Sequence, residues 1–317
     1  MRIARLITLS GLAFAAPALA APPAKPAPTK PAMTKPAEPK PTEAAPSSLE
    51  SETRAWHQKR LANLTSEEGW LSLVGLHWLN EGDNRFGSAE DNEFVFPPGT
   101  PAHIGTFTRK GAQVTISLQP GVTLTRAGKP FTGGALGQSE SDEDVLTLGT
   151  LRFYLIPRGD KLGLRVKDPE APARKQFHGI PTWPVSSAWR IEGRFEPAAT
   201  PRKLAVPTVL GTVEEMNSPG TLVFQVNGQE YRLDPVLESD SGPFFVIFGD
   251  QTNRAESYGA GRFLYVDPPK DGRVVLDFNR AYNPPCAFSP YATCPLPPAQ
   301  NRLKLRVEAG EKRYGDH

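Results

Sequence analysis

The densest run of side chains able to do chemistry lies between positions 277 and 291. There Asp277, Asn279, Arg280, Tyr282, Asn283 and Tyr291 follow one another around Pro284, Pro285 and Pro290. A strand-like run ends at Phe278, so a proline-stiffened loop would present these groups at the end of a sheet. Aromatic rings beside amides and a carboxylate suit a small polar ligand or a glycan. The same residue types also serve structure, because Asn and Asp bond their own backbone in turns and Tyr closes sandwich edges. Both readings stand at this point.

Two arginines sit in otherwise apolar runs, Arg165 in Leu162–Val166 and Arg262 in Gly261–Val266. Alternation on a single strand predicts that each faces solvent. Arg262 has a second prospect. The run Arg273–Phe278 follows after the short turn Asp267–Gly272, and two strands so joined should pair antiparallel, bringing Arg262 near Asp277. A carboxylate at Asp277 or Glu256 as general base, with Arg262 against an anion and Tyr282 as acid, would make a hydrolase. That is the alternative to a non-catalytic binding or scaffold protein, which is the leading reading. His77-Trp78, in the run Leu71–Leu79, reads as a packed pair.

The chain has 317 residues, with 36 Lys and Arg against 34 Asp and Glu. Residues 1–47 hold six basic and two acidic side chains, +4 in all, so residues 48–317 carry −2. A slightly acidic body excludes the basic face that nucleic acid requires. A basic start (Arg2, Arg5), the apolar run Leu6–Ala16, and small residues at Ala18 and Ala20 predict a signal peptide over 1–20. The mature chain would begin at Ala21, in the periplasm or outside the cell. Residues 21–47 alternate Lys-Pro and Ala-Pro, the composition of a semi-rigid polyproline spacer. Its lysines Lys25, Lys30, Lys35 and Lys40 give it a possible association with the cell envelope.

Export bears on the two cysteines, Cys286 and Cys294. Seven residues lie between them, more than in a redox-active C-x-x-C and unlike a zinc knuckle. In an oxidising compartment they predict a structural disulfide, contributing roughly 2–3 kcal/mol. No metal site is expected, since the five histidines (57, 77, 103, 178 and 317) are scattered. Neither a Gly-x-Ser-x-Gly elbow nor a phosphate-cradling glycine loop occurs, and no cofactor is expected.

The elements that must carry these residues are mostly strands. Ser47-x-x-Glu50 predicts a capping box and a helix to about Leu64, with Leu49, Thr53, Trp56 and Arg60 on one face. Thr65-x-x-Glu68 reads as a second cap and a short turn. Thereafter short apolar runs bounded by Gly, Pro, Asn and Asp, among them Gln113–Leu118, Leu151–Pro157, Leu222–Val226 and Phe244–Phe248, predict strands, the last at Leu303–Val307. Val226-Asn227-Gly228-Gln229 predicts a type I′ hairpin. Arg158-Gly159-Asp160 and Lys270-Asp271-Gly272 predict tight turns. The fold class is therefore mainly β, with one N-terminal helix and two β-rich halves, sandwich-like or barrel-like. The halves are 48–168 and 189–312, joined by a Pro-rich connector over 169–188.

Phe86-Gly87-Ser88 through Phe96, Thr100-x-x-His103 and Val145-Leu-Thr-Leu-Gly149 resemble segments of forkhead-associated domains, β-sandwiches that read phosphothreonine. Here Ser88 stands where that family has the phosphate-binding Arg. Three other segments, Gly69-Trp-Leu-Ser-Leu-Val-Gly-Leu-His-Trp-Leu, Tyr258-Gly-Ala-Gly-Arg-Phe-Leu and Leu276-Asp-Phe-Asn-Arg-Ala-Tyr-Asn-Pro-Pro-Cys, resemble the family of domain of unknown function 1684. That likeness runs from about Trp56 to Lys312 and implies a fold unit without implying an activity.

Overall fold

The computed structural model describes residues 48–315. The signal, the spacer and the Ser47 cap lie outside the described residues. Helix α1 spans Ser48–Thr65 and turns Thr53 and Leu64 inward, with Leu49, Trp56 and Arg60 half-buried on the same side. The Thr65 hydroxyl bonds back to the Leu61 carbonyl at 2.9 Å. It therefore ends α1 and caps nothing, while the expected short turn follows, closed by Gly69 N–H to the Ser66 carbonyl at 2.9 Å.

The first half contributes β1 (Leu73–Trp78), β2 (Gly82–Gly87), β3 (Phe94–Val95), β4 (Gly105–Lys110), β5 (Gln113–Leu118), β6 (Leu124–Arg126), β7 (Lys129–Phe131), β8 (Gly133–Leu136), β9 (Leu146–Leu148), β10 (Leu151–Arg158) and β11 (Lys161–Lys167). A six-stranded sheet in the order β1-β11-β10-β9-β6-β7 and a five-stranded sheet in the order β3-β2-β4-β5-β8 share one core. Phe86, Phe107 and Ile116 from one sheet meet Phe153, Leu155 and Leu164 from the other. His77 stacks on Phe94 and Phe96, at 5.1 and 5.9 Å between ring centres. Burial holds its pKa below the usual histidine value.

Ser88 donates its hydroxyl to the Thr100 carbonyl at 2.7 Å, and Thr100 donates its own to the Pro97 carbonyl at 2.9 Å. Both hydroxyl hydrogens are thus engaged inside the turn, and neither is offered to a phosphate.

Residues 169–188 contain a short helix, α2 (Pro172–Lys175), and then run against the chain's end. Trp183 N–H donates to the Gly310 carbonyl, and Lys312 N–H to the Pro181 carbonyl. The connector is a bonded strap. Beyond it come β12 (Arg190–Pro207), β13 (Val213–Val226), β14 (Gln229–Leu233), β15 (Phe244–Phe248), β16 (Arg262–Val266) and β17 (Arg273–Asp277). A four-stranded sheet in the order β14-β13-β12-β17 and the pair β15-β16 enclose a second core, in which Phe224, Phe248 and Phe278 pack together. The described residues, 48–315, form one compact unit.

The Asn227-Gly228 hairpin is present. Val226 pairs with Gln229, and φ is positive at both turn residues, 51° and 76°. The expected hairpin between β16 and β17 is not. β16 pairs with β15, and β17 pairs with β12. Leu303–Val307 forms no strand either. Its backbone is drawn to Gly249, Gln251 and the Asp250 side chain, and the Val307 carbonyl accepts from Arg262. A ladder would need those same groups.

Candidate functional site

Asp277 lies at the end of β17, and its carboxylate accepts from Asn279 N–H at 3.2 Å, capping a single 3-10 turn over Phe278–Arg280. The Asn279 amide donates to Asp277 and to the Ser186 carbonyl, each at 2.9 Å. Asn283 N–H donates to Glu311 at 2.7 Å, while its side chain donates to the Lys312 carbonyl at 2.7 Å. All three residues are buried. These bonds brace the loop, while Asp277 Oδ2 and Asn283 Oδ1 are buried without a hydrogen-bond partner. Tyr291 is exposed and lies outside the cleft described below.

Arg262 is fully buried and pairs with Asp250 at 2.8 Å, not with Asp277. Its Nη1 donates to the carbonyls of Ala309 and Glu311 and its Nη2 also to that of Val307, while Nε has no acceptor. Glu256 faces Arg306 on the surface. The set Asp277, Glu256, Arg262 and Tyr282 is therefore not assembled into one acid–base site. Arg165 is also buried, at 3% exposure. Alternation placed both arginines on the outer faces of their strands, but other elements cover those faces.

Of the loop residues, Tyr282 does reach a cavity. The main chain after the 3-10 turn bridges Tyr282 to Phe263 through two hydrogen bonds of 2.8 and 2.9 Å. This seats the Tyr282 ring edge-on to Phe263 and parallel to Tyr265, 6.1 Å away. These rings form one wall of a cleft of about 660 Å³. Trp70, Arg158, Met216, Glu214 and Glu238 contribute the others, with Pro285, Thr293, Cys294 and Pro295 along one rim. The cavity is thus bounded by residues from both ends of the sequence.

The electrostatics of the cleft are mixed. The Arg60 guanidinium lies 4.7 Å over the Tyr282 ring and is held by the Asn283 carbonyl at 2.9 Å and Glu311 at 3.2 Å. Such stacking orients the cation and leaves its ring partner rigid. The Tyr265 hydroxyl donates to Glu238 at 2.7 Å. Burial pushes the Tyr265 phenol up to about 12 and that of Tyr282 well above the usual value, so both remain neutral donors. Arg158 donates to the Thr293 hydroxyl at 3.1 Å. Burial, and then the nearby Arg165 charge, lower its pKa.

Cys286 and Cys294 are free thiols here. Each backbone N–H donates to the other's sulfur, Cys286 to Cys294 at 3.1 Å and Cys294 to Cys286 at 3.3 Å. The hydrogen bond from Cys294 lowers the Cys286 pKa, while the same contact followed by burial raises that of Cys294. Among the described residues no group of three or more His, Cys, Asp or Glu could hold a metal ion.

Sequence reading missed Arg60, Trp70, Met216, Glu238 and Tyr265. Trp70 lies in one of the family-like segments, and Tyr265 lies in a strand that was recognised. Nothing local marks either as a cleft residue.

Residues 175–312 match a family model described as "Protein of unknown function (DUF1684)". The match starts at Lys175, well after the Trp56 start that the resemblance suggested. The solution NMR structure of an uncharacterized protein of Haloarcula marismortui is 31% identical in sequence, covering 44% of this chain and 78% of that one, with a TM-score of 0.38. No curated protein matches the chain.

Proposed function

The chain belongs to the DUF1684 family, and from that premise we propose that it is an exported, non-catalytic binding protein for a small polar ligand or glycan, held in the cleft beside Tyr282 and Tyr265. One observation carries this reading. A cavity of about 660 Å³ combines aromatic faces with a carboxylate–phenol pair and a fixed guanidinium. Pockets of that size and mixed lining are what small ligands occupy, and apolar sugar faces stack on such rings. The binding site moves from the loop to its neighbour: the 277–283 backbone supports the cleft and does not form it.

Tyr265 is the residue to test, because it is 44% exposed and its loss leaves the second core largely intact. Tyr265→Ala should abolish glycan or small-ligand binding, read by a glycan array followed by calorimetry on the hits. Its melting temperature should stay within a few degrees of the parent. Retained affinity in the variant would sink the cleft as the binding site.

Export and the disulfide belong to the same proposal. The Pro-rich arm would space the body from the envelope. In an oxidising compartment, Cys286, the more readily ionised thiol, would close a bridge to Cys294, with two electrons and two protons passing to the compartment's thiol oxidant. The bridge would fix the rim of the cleft. One mass spectrum tests both statements. Native protein treated with an alkylating agent without reductant should begin at Ala21 and carry no adduct. A chain beginning at Met1, or adducts on both cysteines, would count against them.

A further inference from the structure

Arg165 lies directly behind the cleft wall. Its guanidinium sits 5.2 Å over the ring of Trp70, which lines the cleft, and close enough to Arg158 and Cys294, which also line it, to affect both electrostatically. Arg165 Nη1 donates to Glu140 at 3.1 Å. Nε and Nη2 have no acceptor, although both are buried. Those two nitrogens form the side edge of the guanidinium, the fork whose parallel N–H bonds match two oxygens of a carboxylate or phosphate. A buried donor without an acceptor is costly, and a buried cation more so.

The unpaired edge itself, and not an excess of positive charge around it, favours an anion over a neutral group. Tyr154, the register partner of Arg165 on β10, has a buried hydroxyl that closes no hydrogen bond and lies near both Glu140 and Arg165. Lys167 follows two residues on, on the same face, and Arg152 adds a further positive charge. The nearby carboxylates are Glu68, which bridges Lys167 and Arg152, Glu140, which is half exposed and lies 3.9 Å from Lys167, Asp142 at 3.9 Å from Arg152, and Glu214, which faces Arg158 from the cleft wall. Glu140 takes one nitrogen of Arg165 and leaves the fork free.

We propose that the free side edge of Arg165, with Arg158 and the Tyr154 hydroxyl, is an oxyanion subsite at the inner end of the cleft. It would take the carboxylate or phosphate of an acidic ligand whose polar or sugar body lies against Tyr265 and Tyr282. This rests on the cleft being the binding site, and it narrows the ligand class from polar to anionic. The group must be small, since Arg165 is only 3% exposed and lies behind Trp70 and Arg158 without itself lining the cleft.

The test uses the mature chain titrated with sodium acetate and sodium phosphate against sodium chloride at equal ionic strength, followed by thermal melting and calorimetry. The expected result is a saturable rise in melting temperature with an oxyanion and none with chloride. Acetate or phosphate as the stronger probe identifies a carboxylate or a phosphate ligand. Arg165→Lys keeps the charge and loses the fork, so affinity should fall about tenfold. Glu140→Gln, on an exposed segment, frees a further donor and should raise affinity several-fold. A response equal to that of chloride overturns the inference, as does a response unchanged in Arg165→Lys. Should that variant fail to fold, unchanged affinity in Glu140→Gln overturns it instead. Tyr265-dependent glycan binding without any oxyanion effect would leave the cleft standing and remove the subsite. An Arg165-dependent oxyanion effect without any Tyr265-dependent ligand would do the reverse.

Discussion

Arg262→Ala should lower the stability of the folded chain by about 3–5 kcal/mol, the range for removing one member of a buried ion pair. Asp250→Ala should cost a similar amount. The guanidinium and carboxylate are both fully buried and 2.8 Å apart. Removing either leaves a charge with no water to receive it. Arg262 also ties the chain's end, through its bonds to the Val307 and Ala309 carbonyls and its packing 5.1 Å from Trp183. For a domain of this size the melting temperature should fall by about 10 °C. Asp277→Ala, the change suggested by sequence proximity, should cost only about 1 kcal/mol, as expected for a lost turn cap. Denaturant melts of the three variants decide the matter. Equal losses for Arg262→Ala and Asp277→Ala would contradict the observed pairing.

That contrast shows where sequence reasoning stops. Arg262 and Asp277 are close along the chain, and a short turn invites a hairpin. Strand partners are chosen by which apolar faces can be buried together, and β16 buries Leu264 and Val266 against β15. Strands with dense apolar content, the continuous run Phe244–Phe248 and the alternating Gln113–Leu118, were legible. β2 and β4 were not, because each offers one large apolar side chain, Phe86 or Phe107, among polar neighbours. One of those neighbours, Asn84, is itself buried, with its amide bonded to the carbonyls of Asn80 and Gly82. The outer part of the long β12–β13 hairpin was hidden by Pro197, Pro201, Pro207 and Pro219, residues that argue against a central strand. The register does slip between Pro197 and Arg202.

The candidate site was legible in one residue. Tyr282 stood out as an aromatic ring in a polar loop, and it does line the cleft. Asp277, Asn279 and Asn283 carried the right chemistry, but their hydrogen bonds turn inward. Arg60 and Tyr265 lie far from one another in the sequence, and both reach the Tyr282 ring only because α1 docks on the loop after β17. No spacing rule reports a contact of that kind. It is set by packing between distant elements.

Tyr282→Ala should therefore affect fold and cleft together. The Tyr282 ring contacts Trp56 at 6.1 Å, Phe263 at 5.7 Å and Tyr265 at 6.1 Å, and it carries the Arg60 guanidinium on its face. Truncating an aromatic residue so enclosed leaves a cavity and costs about 3–5 kcal/mol. The loss should concentrate at α1, which buries only Thr53 and Leu64 fully and docks on Tyr282 through Trp56 and Arg60. Local opening is easiest where few apolar contacts hold an element, so the amides of α1 should exchange hydrogen faster than those of the two cores. Tyr282→Phe keeps the ring and should leave exchange and melting close to the parent. Hydrogen exchange read by mass spectrometry over residues 48–65 separates the outcomes. Faster exchange confined to α1 in the alanine variant would establish Tyr282 as the joint between helix and cleft. Unchanged protection there would mean that the Glu311 and Asn283 contacts of Arg60 hold the helix without the ring.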